Sequence, residues 1–171
     1  GLSTAANNGW QPIHVAAAGG HLDLVQLLHV EGVSLGTADR NGRQPIHAAA
    51  QNGRLDVVQW LHQQGVPLTA GSNPYRCLTL TAGVQPIHAA TAGGHVFIIQ
   101  WLAERGVSLD TAANDGAQPI HFAAQYGHLD VAQWLYASGI DVDVEISNGD
   151  TPIALARRHR HGDATKWLHG V

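Results

Sequence analysis

The chain contains no methionine and a single cysteine, Cys77. One cysteine has no partner for an internal disulfide, so the expected setting is reducing and intracellular, with the cytoplasm first, not secreted. There is no Cys-x-x-Cys, no glycine-rich phosphate loop, no Gly-x-Ser-x-Gly and no carboxylate pair outside a repeating pattern. Enzymatic chemistry therefore has no starting point, and no catalytic residue or cofactor is expected. Cys77 stands beside Arg76, a neighbour that can lower a thiol pKa; a lone cysteine next to one arginine is read as incidental. No stretch approaches the roughly 18 apolar residues of a membrane span, and no secretory hydrophobic segment is visible. Charge is sparse at 13% of residues, with a net charge of -4. That balance, without a basic stripe interleaved with aromatics, argues against nucleic acid as a partner. With 44% apolar residues the composition is that of a folded chain.

What is there is repetition. Gln-Pro-Ile-His recurs as Gln11–His14, Gln44–His47, Gln85–His88 and Gln118–His121, and an altered copy reads Thr151-Pro152-Ile153-Ala154. The prolines are 33, 41, 33 and 33 residues apart. Similarity at a fixed period decides architecture before any local signal does. The copies run long: Gln11–Gly32 reads QPIHVAAAGGHLDLVQLLHVEG and Gln118–Gly139 reads QPIHFAAQYGHLDVAQWLYASG. This resembles the ankyrin repeat, whose signature is Thr-Pro-Leu-His-x-Ala at a period of 33. The resemblance covers essentially the whole chain. It implies an all-α solenoid, taken here as four full repeats (11–43, 44–84, 85–117, 118–150) and a C-terminal capping repeat (151–171). Residues 1–10 read as the hairpin of an upstream repeat, since LSTAANNG before Trp10 parallels LDTAANDG at Leu109–Gly116. The expectation is a piece of a longer array, or a chain from which an upstream segment was removed.

Each proline suits the first position of a short inner helix, where its missing N–H costs nothing. Pairs such as Ala16-Ala17 and Ala49-Ala50 allow close stacking. Gly20, Gly53, Gly94 and Gly127 mark the ends of the inner helices. Outer helices are predicted over Leu22–Val30, Leu55–Gln63, Val96–Glu104 and Leu129–Ala137, from their wide apolar stripes. Trp60, Trp101, Trp134 and Trp167 recur at one position, read as a core ladder between outer helices. The fifth repeat replaces histidine with Ala154 and glycine with Arg160, and brings Arg157, Arg158 and Lys166. It is read as a solvated cap, because a terminal repeat has no neighbour on one side.

Twelve histidines suggest metal, but His14, His47, His88 and His121 share one repeat position, as do His21, His95 and His128. Equivalent rings in neighbouring repeats should lie about 10 Å apart, too far to converge on one ion, so no metal site is expected. The resemblance implies that the first set braces the hairpins through backbone hydrogen bonds and a threonine before the proline. Here that threonine is glutamine in four copies, which is expected to weaken the cap.

The one irregularity is eight extra residues, within about Gly71–Val84. Their turn-prone Ser-Asn-Pro and alternating Cys77, Leu78 and Leu80 suggest an extended finger. Its tip residues Tyr75, Arg76 and Leu78 suit a contact with a partner.

The resemblance implies protein recognition on the concave side, by hairpin tips and the exposed ends of inner helices. Carried onto this sequence, those positions are Asn7, Asn8, Trp10, Arg40, Asn41, Arg43, Gln51, Asn52, Asn114, Asp115, Gln125 and Tyr126. The small residues Ala18, Gly19, Ala92 and Gly93 leave room for a partner's backbone. The expected function is a non-catalytic scaffold whose partner is a protein. The competing reading is a structural subunit of a large assembly, organellar where an N-terminal targeting segment has been removed.

Overall fold

The computed structural model describes residues 6, 9–72 and 83–171. Among these are ten α-helices in five pairs, and no strand. The pairs are α1 (Pro12–Gly19) with α2 (Leu22–Val30), α3 (Pro45–Gln51) with α4 (Leu55–Gln63), and α5 (Pro86–Ala92) with α6 (Val96–Glu104). They continue with α7 (Pro119–Tyr126) and α8 (Leu129–Ala137), then α9 (Pro152–Arg158) and α10 (Gly162–Leu168). The four predicted outer helices appear with the predicted ends. Inner helices α1, α3, α5, α7 and α9 stack each on the next, and each packs on the outer helix of its own pair.

The stack is close because the inner helices carry almost no side chain where they meet. Ala17, Ala49, Ala90, Ala123 and Ala156 are fully buried. The branched bulk comes from Ile13, Ile46, Ile87 and Ile120, also fully buried. Each contributes roughly 1.5–3 kcal/mol by leaving water. The outer helices complete one continuous core through Val25, Val58, Ile99 and Val131. The tryptophans sit at its edge: Trp101 is buried, whereas Trp60, Trp134 and Trp167 are half-buried. Three of them meet an aromatic of the preceding pair edge-on, as His29–Trp60, His62–Trp101 and Tyr136–Trp167.

Each inner helix begins from a glutamine in extended backbone, with proline next and histidine third in the helix. The histidine does the capping. Its Nδ1 accepts the glutamine backbone N–H at 3.0–3.2 Å in all four copies. Nδ1 is thus the acceptor, so the neutral ring carries its proton on Nε2. Nε2–H donates to a hairpin carbonyl: Arg43, Val84, Thr111 and Val144 for His14, His47, His88 and His121, at 2.9–3.0 Å. The cap is altered, as expected from the missing threonine: in every copy the imidazole reaches back to the glutamine backbone N–H. Where histidine gives way to Ala154, the Thr151 hydroxyl accepts the Ala154 N–H at 3.4 Å.

The hairpin tips share one pattern. Asp39 N–H donates to Arg43 O, and Gly42 N–H to Asp39 O; Ala113, Ala117 and Gly116 repeat it, as do Ile146, Asp150 and Gly149. Ala6, Trp10 and Gly9 form the same turn. So do Ser72, Val84 and Gly83, with ten residues of sequence between Ser72 and Gly83 where the other tips have two. Cys77 and the expected finger with Tyr75, Arg76 and Leu78 fall in 73–82, outside the described residues, as do Asn7 and Asn8.

A second ladder joins neighbouring pairs on the side away from the hairpins. The residue before each outer helix from α4 onward donates to a carbonyl near the end of the preceding pair's inner helix. His95 reaches Gln51 O, His128 Ala92 O and His161 Gln125 O, at 2.9–3.0 Å. Arg54 does the same to Ala18 O through Nε at 3.0 Å. These side chains lie flat on the glycine that ends the preceding inner helix. A Cβ on Gly94 would stand 2.6 Å from His128 Nδ1, and φ there is +76°, so both contact and backbone disfavour a larger residue.

Candidate binding surface

The hairpins and the exposed face of the inner helices bound two neighbouring depressions. One of about 200 Å³ lies between Asn41, Arg43 and Gln51 on one side and Tyr126 on the other, over a floor of Val84, Ala89, Ala92 and Phe122. The next, of about 100 Å³, lies between Asp115 and Gln125 and the Asp150, Arg158 and His159 side chains. Phe122 and Tyr126, one helical turn apart on α7, border both. Tyr126 is 47% exposed and Phe122 only 8%, so the tyrosine forms a ridge and the phenylalanine a shared floor.

Of the residues singled out in the sequence, Asn41, Arg43, Gln51 and Tyr126 come together around the first depression, and Asp115, Gln125 and Tyr126 around the second. Arg40 and Asn114 are exposed but line neither. Asn52 is exposed and turns its amide back to Ala48 O at 2.8 Å, closing α3. Phe122 is a lining residue that sequence reasoning missed. It was legible as the aromatic standing where Val15, Ala48 and Ala89 stand in the other copies.

Two expectations change. Trp10, expected exposed, is half-buried. Its indole N–H donates to Asp39 Oδ2 at 3.1 Å, and its ring stacks on His14 at 6.1 Å between centroids. Arg43, expected to be a free contact, is tied to the fold, with its Nε on Asp39 Oδ2 at 3.1 Å. The residue that organises this corner is Asp39, which went unremarked in the sequence. Its carboxylate, 4% exposed, also accepts the Asn41 and Arg43 backbone N–H groups at 2.8 and 2.9 Å. Burial alone would raise its pKa, but these bonds and the guanidinium together hold it below the usual carboxylate range.

The basic cluster at Arg157–His161 is more committed than a solvated cap. Arg158 grips Asp150 with two bonds of 2.6 Å, and this partner lowers the Asp150 pKa. His161 bonds Gln125 O, and Arg160 holds the left-handed conformation (φ +63°) that glycine holds elsewhere. Arg157 stays exposed.

The capping histidines are all displaced in the acid direction. Burial lowers His14, His88 and His121, and pushes His47 down to about 4. A ring with both nitrogens engaged by backbone has no lone pair for a metal. Among the described residues no group of three or more His, Cys, Asp or Glu could hold an ion, and no helix is long and apolar enough to cross a membrane.

A family model described as ankyrin repeats (three copies) matches residues 2–72 and again residues 66–146. No curated protein matches the chain.

Proposed function

The chain belongs to the ankyrin-repeat family, whose members are generally modules for protein–protein interaction and typically non-catalytic, and from that premise we propose that it is a non-catalytic scaffold binding a protein partner across the two concave depressions. The observation that carries this reading is the pairing of small floors with exposed polar rims on one face. Val84, Ala89, Ala92 and Phe122 offer an apolar floor bordered by the polar groups of Asn41, Gln51 and Tyr126, and Asp115 and Tyr126 border the second depression. An apolar centre within a polar rim is the anatomy of a non-obligate interface. Tyr126, an exposed aromatic between both depressions, is the residue expected to dominate the binding energy. The reading takes the chain as four full repeats and a C-terminal cap.

The test is capture of the partner by the full chain carrying a photo-crosslinker at Gln51, repeated with Tyr126→Ala and Asn41→Ala. Loss of the partner with an unchanged melting temperature supports the reading. A partner that survives both substitutions removes this face from consideration.

A further inference from the structure

Four of the five outer helices carry an aspartate in the first turn: Asp23, Asp56, Asp130 and Asp163. A carboxylate there faces unpaired amides and the positive end of the helix dipole. The middle helix, α6, has no acid in that turn. Phe97 occupies the position and is 79% exposed. A lone exposed apolar side chain is ordinary on a protein surface, but this one differs in what surrounds it. It borders a groove of about 630 Å³ floored by Gly53 and Gly94 and walled by Leu55 and Val96, with Asp130 at the edge. None of these residues lines either concave depression. The groove opens beside the second ladder, whose His95 and His128 rings are already engaged by the Gln51 and Ala92 carbonyls. The carboxylates of Asp56 and Asp130, from the pairs before and after, are exposed on either side. The nearby cation is Arg54, held by Ala18 O.

We propose that this groove is a second docking surface, which takes an extended basic segment of a partner protein. One large apolar side chain of the segment packs on Phe97, and a lysine or arginine on each side meets Asp56 and Asp130. The choice of occupant follows from charge complementarity and spacing. Stacked helices lie about 10 Å apart. A polyproline-type segment returns to the same side every third residue, about 9 Å along. The pattern that matches is therefore Lys/Arg-x-x-apolar-x-x-Lys/Arg.

The probe is the peptide Pro-Arg-Pro-Pro-Leu-Pro-Pro-Arg-Pro, titrated into the full chain at low salt and followed by amide NMR shifts and calorimetry. Saturable binding with shifts centred on α6 and the turn before it is expected. Phe97→Asp, which installs the residue of the other four copies and so preserves the fold, should weaken it at least about tenfold. A peptide with serine for leucine should weaken it comparably, and Asp56→Asn with Asp130→Asn should flatten its salt dependence. No saturation, shifts confined to the hairpin face, or equal binding by Phe97→Asp would each overturn the proposal. A chain that dimerises alone and becomes monomeric on Phe97→Asp would also overturn it, assigning the groove to a second copy.

Discussion

Acidification should dismantle the stack through its capping histidines, and the cost can be worked from one of them. His47 is 1% exposed, with Nδ1 accepting from Gln44 and Nε2–H donating to Val84. A second proton would land on Nδ1, where it would point at a donor. Burial therefore holds this group at about 4, against 6.5 for an ordinary histidine. Between those two values the unfolded chain binds a proton that the folded chain refuses, so stability falls as pH falls. At about 1.4 kcal/mol for each tenfold, His47 alone removes about 2 kcal/mol by pH 5 and about 3 kcal/mol by pH 4. His14, His88 and His121 are displaced the same way and add to the loss. A carboxylate such as Asp39, lowered below its ordinary 3.8, withdraws its contribution only at still lower pH, so the window from 6.5 to 5 belongs to histidine.

The assay is urea unfolding by circular dichroism at steps from pH 7.5 to 4.5, for the natural chain and for Gln44→Thr with His47→Ala. That double substitution copies the arrangement at Thr151 and Ala154, where a hydroxyl replaces the ring. It leaves Val84 O without the imidazole, so it should be less stable at pH 7 by roughly 1–3 kcal/mol. Its loss between pH 7 and pH 5 should be smaller by about 2 kcal/mol. An unfolding midpoint that stays constant from pH 7 to pH 5 in the natural chain would refute the reasoning.

Other perturbations separate fold from surface. Replacing residues 73–82 with two residues should leave the Ser72–Val84 turn intact and raise stability by about 1 kcal/mol through a shorter loop, read as a higher urea midpoint. Gly94→Ala should cost roughly 2–4 kcal/mol, whereas Gly106→Ala, also at positive φ but with nothing within 4 Å, should cost only about 1–2 kcal/mol of backbone strain; equal losses would dismiss the His128 contact. Asp39→Ala should lower stability by about 2–3 kcal/mol because Trp10 and Arg43 lose their acceptor, while Arg40→Glu should leave the melting temperature unchanged.

The helices were legible because proline, small residues, glycine and an apolar stripe all repeat at one period, and local signals that agree are hard to misread. The candidate binding face was legible only in part. Gln51 and Tyr126 stand at positions that vary between copies, and variation points outward. Asp39 was hidden because its role depends on Trp10, 29 residues away, and on an arginine four residues on. No pattern within one repeat announces such a corner. Likewise, the shared position of His95 and His128 was visible, but its meaning required knowing that the preceding helix ends in a carbonyl facing the ring.

A chain built this way carries its own controls, because every departure can be compared with its siblings in the same molecule. Arg54 stands where others have histidine, yet it makes the same bond to the preceding helix, so the change is silent. Arg160 stands where others have glycine and adopts the same left-handed backbone; that change is tolerated strain. Asp39, whose counterparts are Ala6, Ser72, Ala113 and Ile146, makes four bonds the others lack or make differently, so its reason lies inside the fold. Phe97 is of another kind. It gives up the carboxylate that suits a helix start and is left 79% exposed, an arrangement that burial cannot reward. The fold gains nothing from this departure, and the proposed segment seated on the groove would supply the gain by covering the ring.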